Sequence, residues 1–147
     1  MTHPVRKPIE YLSRKDPNEL SLLDVLRLAE EVFIWEDVES MLSASELYQS
    51  SGIIKRITGR SAQAIRKQVV ADQTLSLSSQ QSVLTYQYAK VLESATSAFG
   101  SQRLAEEWLG RPCKPLAGIV PLDAIENAIG FQVVEEYLKL IVQGVYQ

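Results

Sequence analysis

The stretch SSQQSVLTYQYAKVLESATSAFG, residues 78–100, decides the fold. Leu84, Tyr88, Val91, Leu92, Ala95 and Phe99 fall on one stripe, because positions three and four apart share a face of an α-helix. Ser78 stands three residues before Gln81, the spacing at which a hydroxyl and a side-chain amide each satisfy the other residue's backbone N–H. Gly100 supplies the stop. Toward the C-terminus, Ser101 is placed to cap a short helix holding Leu104, Trp108 and Leu109, closed by Gly110. Pro112 and Pro115 force a loop. Pro121 opens a further helix with Leu122, Ile125 and Ile129, and Gly130 reads as its stop. A final helix sets Val133, Val134, Tyr137, Leu138, Ile141, Val142 and Val145 along one side.

Toward the N-terminus, ADQTLSLSS has no helical periodicity and marks a boundary between two halves. Before it, SAQAIRKQVV reads as a helix capped by Ser61, preceded by a short helix with Ile53, Ile54 and Ile57 that ends at Gly59. Trp35–Leu42 and Ala44–Gln49 are short periodic stretches ahead of the Ser50-Ser51-Gly52 breaker. Ser21 opens an amphipathic helix carrying Leu22, Val25, Leu26, Leu28, Ala29, Val32 and Phe33. Residues 1–18, with Pro4, Pro8 and Pro17, are expected to form a flexible arm. No useful strand alternation survives, so the expected fold is all-α, with a helix-turn-helix-like N-terminal half (residues 19–76) and a small helical C-terminal domain (residues 77–147).

The chain has 147 residues, 46% hydrophobic and 22% charged, with 15 Lys+Arg against 18 Asp+Glu. One histidine, His3, sits in the expected arm, which removes the commonest general base and metal ligand from a folded site. One cysteine, Cys113, excludes an intrachain disulfide and a thiol cluster for a metal. Glu30-Glu31, Glu106-Glu107 and Glu135-Glu136 are adjacent pairs, splayed by about 100° on a helix, so none forms a shared-proton dyad. No phosphate-binding glycine loop and no metal-ligand spacing occurs. An enzyme, a metal and a cofactor are therefore not expected. The N-terminal stretch lacks an apolar region and no run of eighteen apolar residues exists, so a cytoplasmic protein without membrane contact is expected. Charge is uneven: residues 50–70 hold Lys55, Arg56, Arg60, Arg66 and Lys67 and no acid, whereas residues 16–49 hold nine acids against Arg27.

The second half resembles the toxin-binding domain of the Xre/MbcA/ParS antitoxin family. The resemblance rests on a long helix ending in AFG (Ala98–Gly100), the RLAEEWL run to Leu109, LAGIVPLDAI with Gly118 and Pro121, then Gly130 and the closing IVQGVY. Two departures stand out. Val120 replaces the small hydroxyl residue that commonly precedes the proline, which weakens the helix cap, and Leu140 and Val142 are apolar where the family often has charge. The resemblance implies a type II antitoxin that neutralises an NAD-degrading RES-domain toxin. It also implies that IIKRITGRSAQAIRKQV is a helix-turn-helix reading operator DNA and repressing the operon, which requires a homodimer because one recognition helix reads too few base pairs. Arg60, Ser61 and Gln63 would meet base edges, while Lys55, Arg56, Arg66 and Lys67 would neutralise phosphates.

The apolar run of the final helix continues through Leu140, Ile141 and Val142 and covers more of its circumference than one buried face needs, so part of that surface is expected to meet another chain. Leu138, Ile141, Val142, Gly144, Val145, Tyr146 and Gln147 are the candidate toxin contacts. Trp108, Gly118, Pro121 and Gly130 are expected to act structurally. Two other readings keep the same halves: a dimeric transcriptional regulator without a toxin partner, and a scaffold protein.

Overall fold

The computed structural model describes residues 7–12, 23, 33–72 and 75–144. The fold is all-α: among these residues the β contacts are two isolated bridges, Ile34 with Ser76 and Cys113 with Ile119. The helix expected from Ser21 lies outside the described residues apart from Leu23, which is helical, and Phe33, which is not. The chain divides into two compact units, Met1–Tyr86 and Gln87–Gln147.

The N-terminal unit contains α1 (Pro8–Leu12), α2 (Trp35–Ser43), α3 (Glu46–Ser50), α4 (Ile53–Thr58), α5 (Ala62–Asp72) and the first turns of α6 (Ser79–Phe99). Where the expected arm is described, it is instead the helix α1, which packs on α2 with Ile9 and Leu12 buried. Three residues apart, those two side chains share a face and gain enough apolar burial to order a short turn. Ser45 caps α3 by accepting from the Tyr48 amide at 3.1 Å. The segment read as a boundary is also anchored. The Trp35 amide donates to the Leu75 carbonyl (2.8 Å), the Leu77 amide to the Phe33 carbonyl (3.0 Å), and the Phe33 amide to the buried Ser82 hydroxyl of α6 (3.2 Å).

The C-terminal unit contains the rest of α6, α7 (Gln102–Leu109), a 3₁₀ turn (Lys114–Leu116), α8 (Pro121–Ala124) and α9 (Ala128–Val142). The expected box opens α6: the Ser78 amide donates to Gln81 Oε1 at 3.0 Å and the Gln81 amide to Ser78 Oγ at 3.1 Å. Tyr88, Ala89, Val91, Leu92 and Ala95 on α6 are buried, as are Leu109, Leu122, Ile125, Val134 and Leu138. Gln87, also buried, donates through Nε2 to the Ile125 carbonyl at 2.6 Å, satisfying a carbonyl left open where α8 ends. Val120 gives α8 no side-chain cap, yet Pro121 at its start has no N–H in need of one.

Gly130 corrects the sequence reading. It does not end a helix; it is the third residue of α9, and its amide donates to the capping Asn127 Oδ1 at 2.7 Å. A Cβ at this position would lie 1.8 Å from the Ala124 carbonyl oxygen and 2.8 Å from its carbon. The glycine is there because the first turn of α9 runs against the backbone of α8. Ile129, assigned by sequence to the preceding helix, therefore belongs to α9 and sets its phase.

Gly130→Ala is expected to destabilise the protein by about 1–3 kcal/mol or more, because rigid backbone has to give way to one methyl group. Urea denaturation would show a lower midpoint. An unchanged midpoint would contradict the close approach.

Candidate functional site

The helix α9 is apolar on two opposite sides. Val134 and Leu138, four residues apart, point into the core, with Leu138 only 1% exposed. Ile129, Val133 and Leu140 recur at the 4- and 7-residue spacing of another face, and Ile129 is 77% and Val133 50% exposed. Beside that stripe, Pro115 and Leu116 of the 3₁₀ turn, with Val133, Tyr137 and Leu140, line a shallow open groove of about 350 Å³ whose polar members are Gln132 and Glu136. The turn that supplies one wall is held by the Cys113 amide donating to the Ile119 carbonyl (3.1 Å) and by Ala117 and Gly118, both at positive φ (59° and 79°). Glycine at 118 takes that conformation without a Cβ penalty.

Leu138 was expected among the partner contacts; it is a core residue, because its position on α9 is that of Val134 one turn on. Ile141 is half-buried, Val142 is 65% exposed, and Gly144 is exposed with φ 80° just past the helix. Val145, Tyr146 and Gln147 lie outside the described residues. Trp108 is half-buried, stacked on Tyr137 (centroids 5.7 Å apart, planes 7° from parallel) and tilted against Phe99 (5.3 Å). Such contacts fix ring orientation as well as burying area. The three rings thus join α6, α7 and α9 next to the groove wall formed by Tyr137.

The sequence reading pointed to Leu140 through the apolar run Leu140–Val142 but missed Ile129, Val133, Pro115 and Leu116. The signal for the helical stripe was the i, i+4, i+11 spacing of Ile129, Val133 and Leu140 on the last helix. Placing a helix stop at Gly130 removed the first of the three and hid the pattern.

Across α9, the Ser94 hydroxyl donates to Glu135 Oε2 at 2.8 Å, while Glu135 Oε1 is buried with no hydrogen-bond partner. Burial pushes the Glu135 carboxyl above its ordinary value, against the Ser94 hydrogen bond and the charges of Lys90 and Lys139, which pull it down.

In the N-terminal unit, the helix, glycine turn and helix read from the sequence are present as α4, Gly59 and α5. The helix α4 ends on Gly59 at φ 74°, and Ser61 caps α5 by accepting from the Ala64 amide at 3.1 Å. Thr58 holds the turn: its hydroxyl donates to the Ile54 carbonyl (2.7 Å) and accepts from the Arg60 amide (3.1 Å). Lys55, Arg56, Arg60, Ser61, Gln63, Arg66 and Lys67 are all exposed, while Ile65 turns inward. Arg60 donates to the Gln68 side chain along α5, and Arg66 Nε lies 3.6 Å from Glu39 Oε1 on α2. Among the described residues, no group of three His, Cys, Asp or Glu side chains is placed to hold a metal ion, and no helix is long and apolar enough to cross a membrane.

Residues 94–141 match the family described as the antitoxin Xre/MbcA/ParS C-terminal toxin-binding domain. The match begins midway along α6 and ends on α9, so it takes in the aromatic contacts, the groove and the outward stripe. No curated protein matches the chain.

A carboxylate with a raised pKa in the folded state favours folding more as it becomes protonated, so the wild type should gain stability as pH falls from neutral toward that pKa. Glu135→Gln keeps an acceptor for Ser94 and removes the buried charge. Thermal melts should show the variant more stable than wild type at pH 8, with the gap narrowing toward pH 5. A variant less stable at pH 8 would contradict the assignment.

Proposed function

We infer, from the match of residues 94–141 to the Xre/MbcA/ParS antitoxin toxin-binding domain, that the protein neutralises a cognate toxin by covering it with the outer face of α9. The observation that carries this reading is the coincidence of the matched segment with an apolar stripe that the unit's own core leaves open. Ile129, Val133 and Leu140, with the Pro115–Leu116 wall, offer aliphatic side chains on a rigid helix beside a hollow, the form in which protein interfaces concentrate their affinity. The partner is a RES-domain, NAD-degrading toxin, and inhibition works by obstruction of its active-site entrance. Val142, Gly144 and the three residues after it extend the contact beyond the groove.

The N-terminal unit serves operator binding and autorepression. Its α5 presents Arg60, Ser61 and Gln63 at the N-terminal end, where a recognition helix meets base edges, and Arg66 and Lys67 one turn later, where phosphates lie. Specific repression works through a homodimer that places two such helices on one operator. The protein acts in the cytoplasm, as a non-enzymatic regulator within a toxin–antitoxin hetero-oligomer.

Two experiments test these assignments separately. Val133→Asp places a charge in the outward stripe without touching the core, and should weaken toxin binding by about 2 kcal/mol or more, roughly 30-fold, while leaving the melting temperature within a few degrees. Co-expression with the toxin encoded beside it should then fail to rescue growth, and the complex should be lost from size exclusion. Full rescue by the variant would rule out this face. For DNA, the Arg60→Ala/Arg66→Ala double variant should weaken operator binding and flatten its salt dependence by up to two in log–log slope, with toxin binding intact. Equal operator affinity in wild type and variant would discard the α5 assignment.

A further inference from the structure

We propose that Glu39 competes with nucleic-acid phosphate for Arg66, so that the N-terminal unit carries its own weak brake on DNA binding; this rests on the reading of α5 as a recognition helix. Residues 50–70 contain five cations and no acid. Glu39 reaches this basic segment from α2, outside it, and takes Arg66 as its partner. The two side chains line, together with Lys55, an open hollow of about 280 Å³ between α2, α3, α4 and α5, floored by Leu42, Tyr48 and Ile53. With Glu39 in place the mouth of this hollow has one net positive charge, and without it two.

The pair is built to be broken. Contact is made through Nε at 3.6 Å, longer than the 2.7–2.9 Å of a charge-assisted hydrogen bond, and the side chains are 66% and 37% exposed. Such a pair contributes little to folding, so its loss is tolerated. A DNA phosphate offers the same guanidinium several anionic oxygens and a field summed over neighbouring phosphates, and it displaces the carboxylate. An isolated or poorly fitted contact does not. Glu39 thereby lowers affinity for DNA in general and leaves binding to depend on the remaining contacts of α5.

The test uses the full chain and a mixed-sequence 30-bp duplex at low salt, with Glu39→Gln, Arg66→Ala and the double variant, all checked for folding by circular dichroism. Glu39→Gln should bind about threefold to fivefold more tightly than wild type, the size expected from releasing one exposed ion pair. In the Arg66→Ala background the same change should give no more than a small gain, because the carboxylate acts through that guanidinium. If wild type binds and Glu39→Gln binds no better, or if its gain persists in full without Arg66, the proposed competition is wrong and the α5 reading stands. If neither wild type nor Glu39→Gln binds the duplex, the α5 reading falls and this proposal with it.

Discussion

The close approach between α8 and α9 is the constraint on which the C-terminal unit depends. Because the Ala124 carbonyl occupies the space of a side chain at position 130, only glycine lets the first turn of α9 reach it. That contact, with the Asn127 cap one residue before the helix, fixes where α9 starts and how it is rotated. Rotation decides which residues go inward. Val134 and Leu138 are taken by the core, Ile129 and Val133 are left facing out, and half-buried Leu140 lines the groove beside them. A rotation by one residue, about 100°, would redistribute these side chains between core and surface.

From that phase the rest of the surface follows. Tyr137 lies at the boundary between the two faces, stacked on Trp108 and lining the groove, so the aromatic cluster both closes the core and supports the apolar stripe. The 3₁₀ turn, held by the Cys113–Ile119 bridge, sets Pro115 and Leu116 opposite the helix. A second apolar face costs solubility unless it is covered, and its retention in the segment that matches a toxin-binding family is what gives it meaning.

Much of this was legible in the sequence. The fold class, the Ser78–Gln81 box, the Gly59 turn, the Ser61 and Ser101 caps and the proline start of α8 each rest on local backbone chemistry, which a short stretch of chain states completely. What was not legible depended on distant partners. Gly130 carries the same letter whether it ends a helix or admits a neighbouring backbone, and the difference lies in Ala124, six residues away. Assigning it as a stop detached Ile129 from α9 and hid the outward stripe, while Leu138 was drawn into the partner-facing set. Similarly, Ile34 and Ser76 form a bridge too short to leave a periodic signal, and Ile9 and Leu12 gain their order from α2, far along the chain.

The central claim, that the outer face of α9 is covered by another polypeptide, is open to one direct measurement. Cys113 is buried, so a cysteine placed at residue 133 provides an exposed thiol against a quiet background. Its rate of maleimide labelling, followed by mass spectrometry with and without saturating toxin, reports whether that side chain is covered. The account predicts rapid labelling of the free protein and strong protection in the complex. Labelling at the same rate in both, with the complex demonstrably formed, would contradict it.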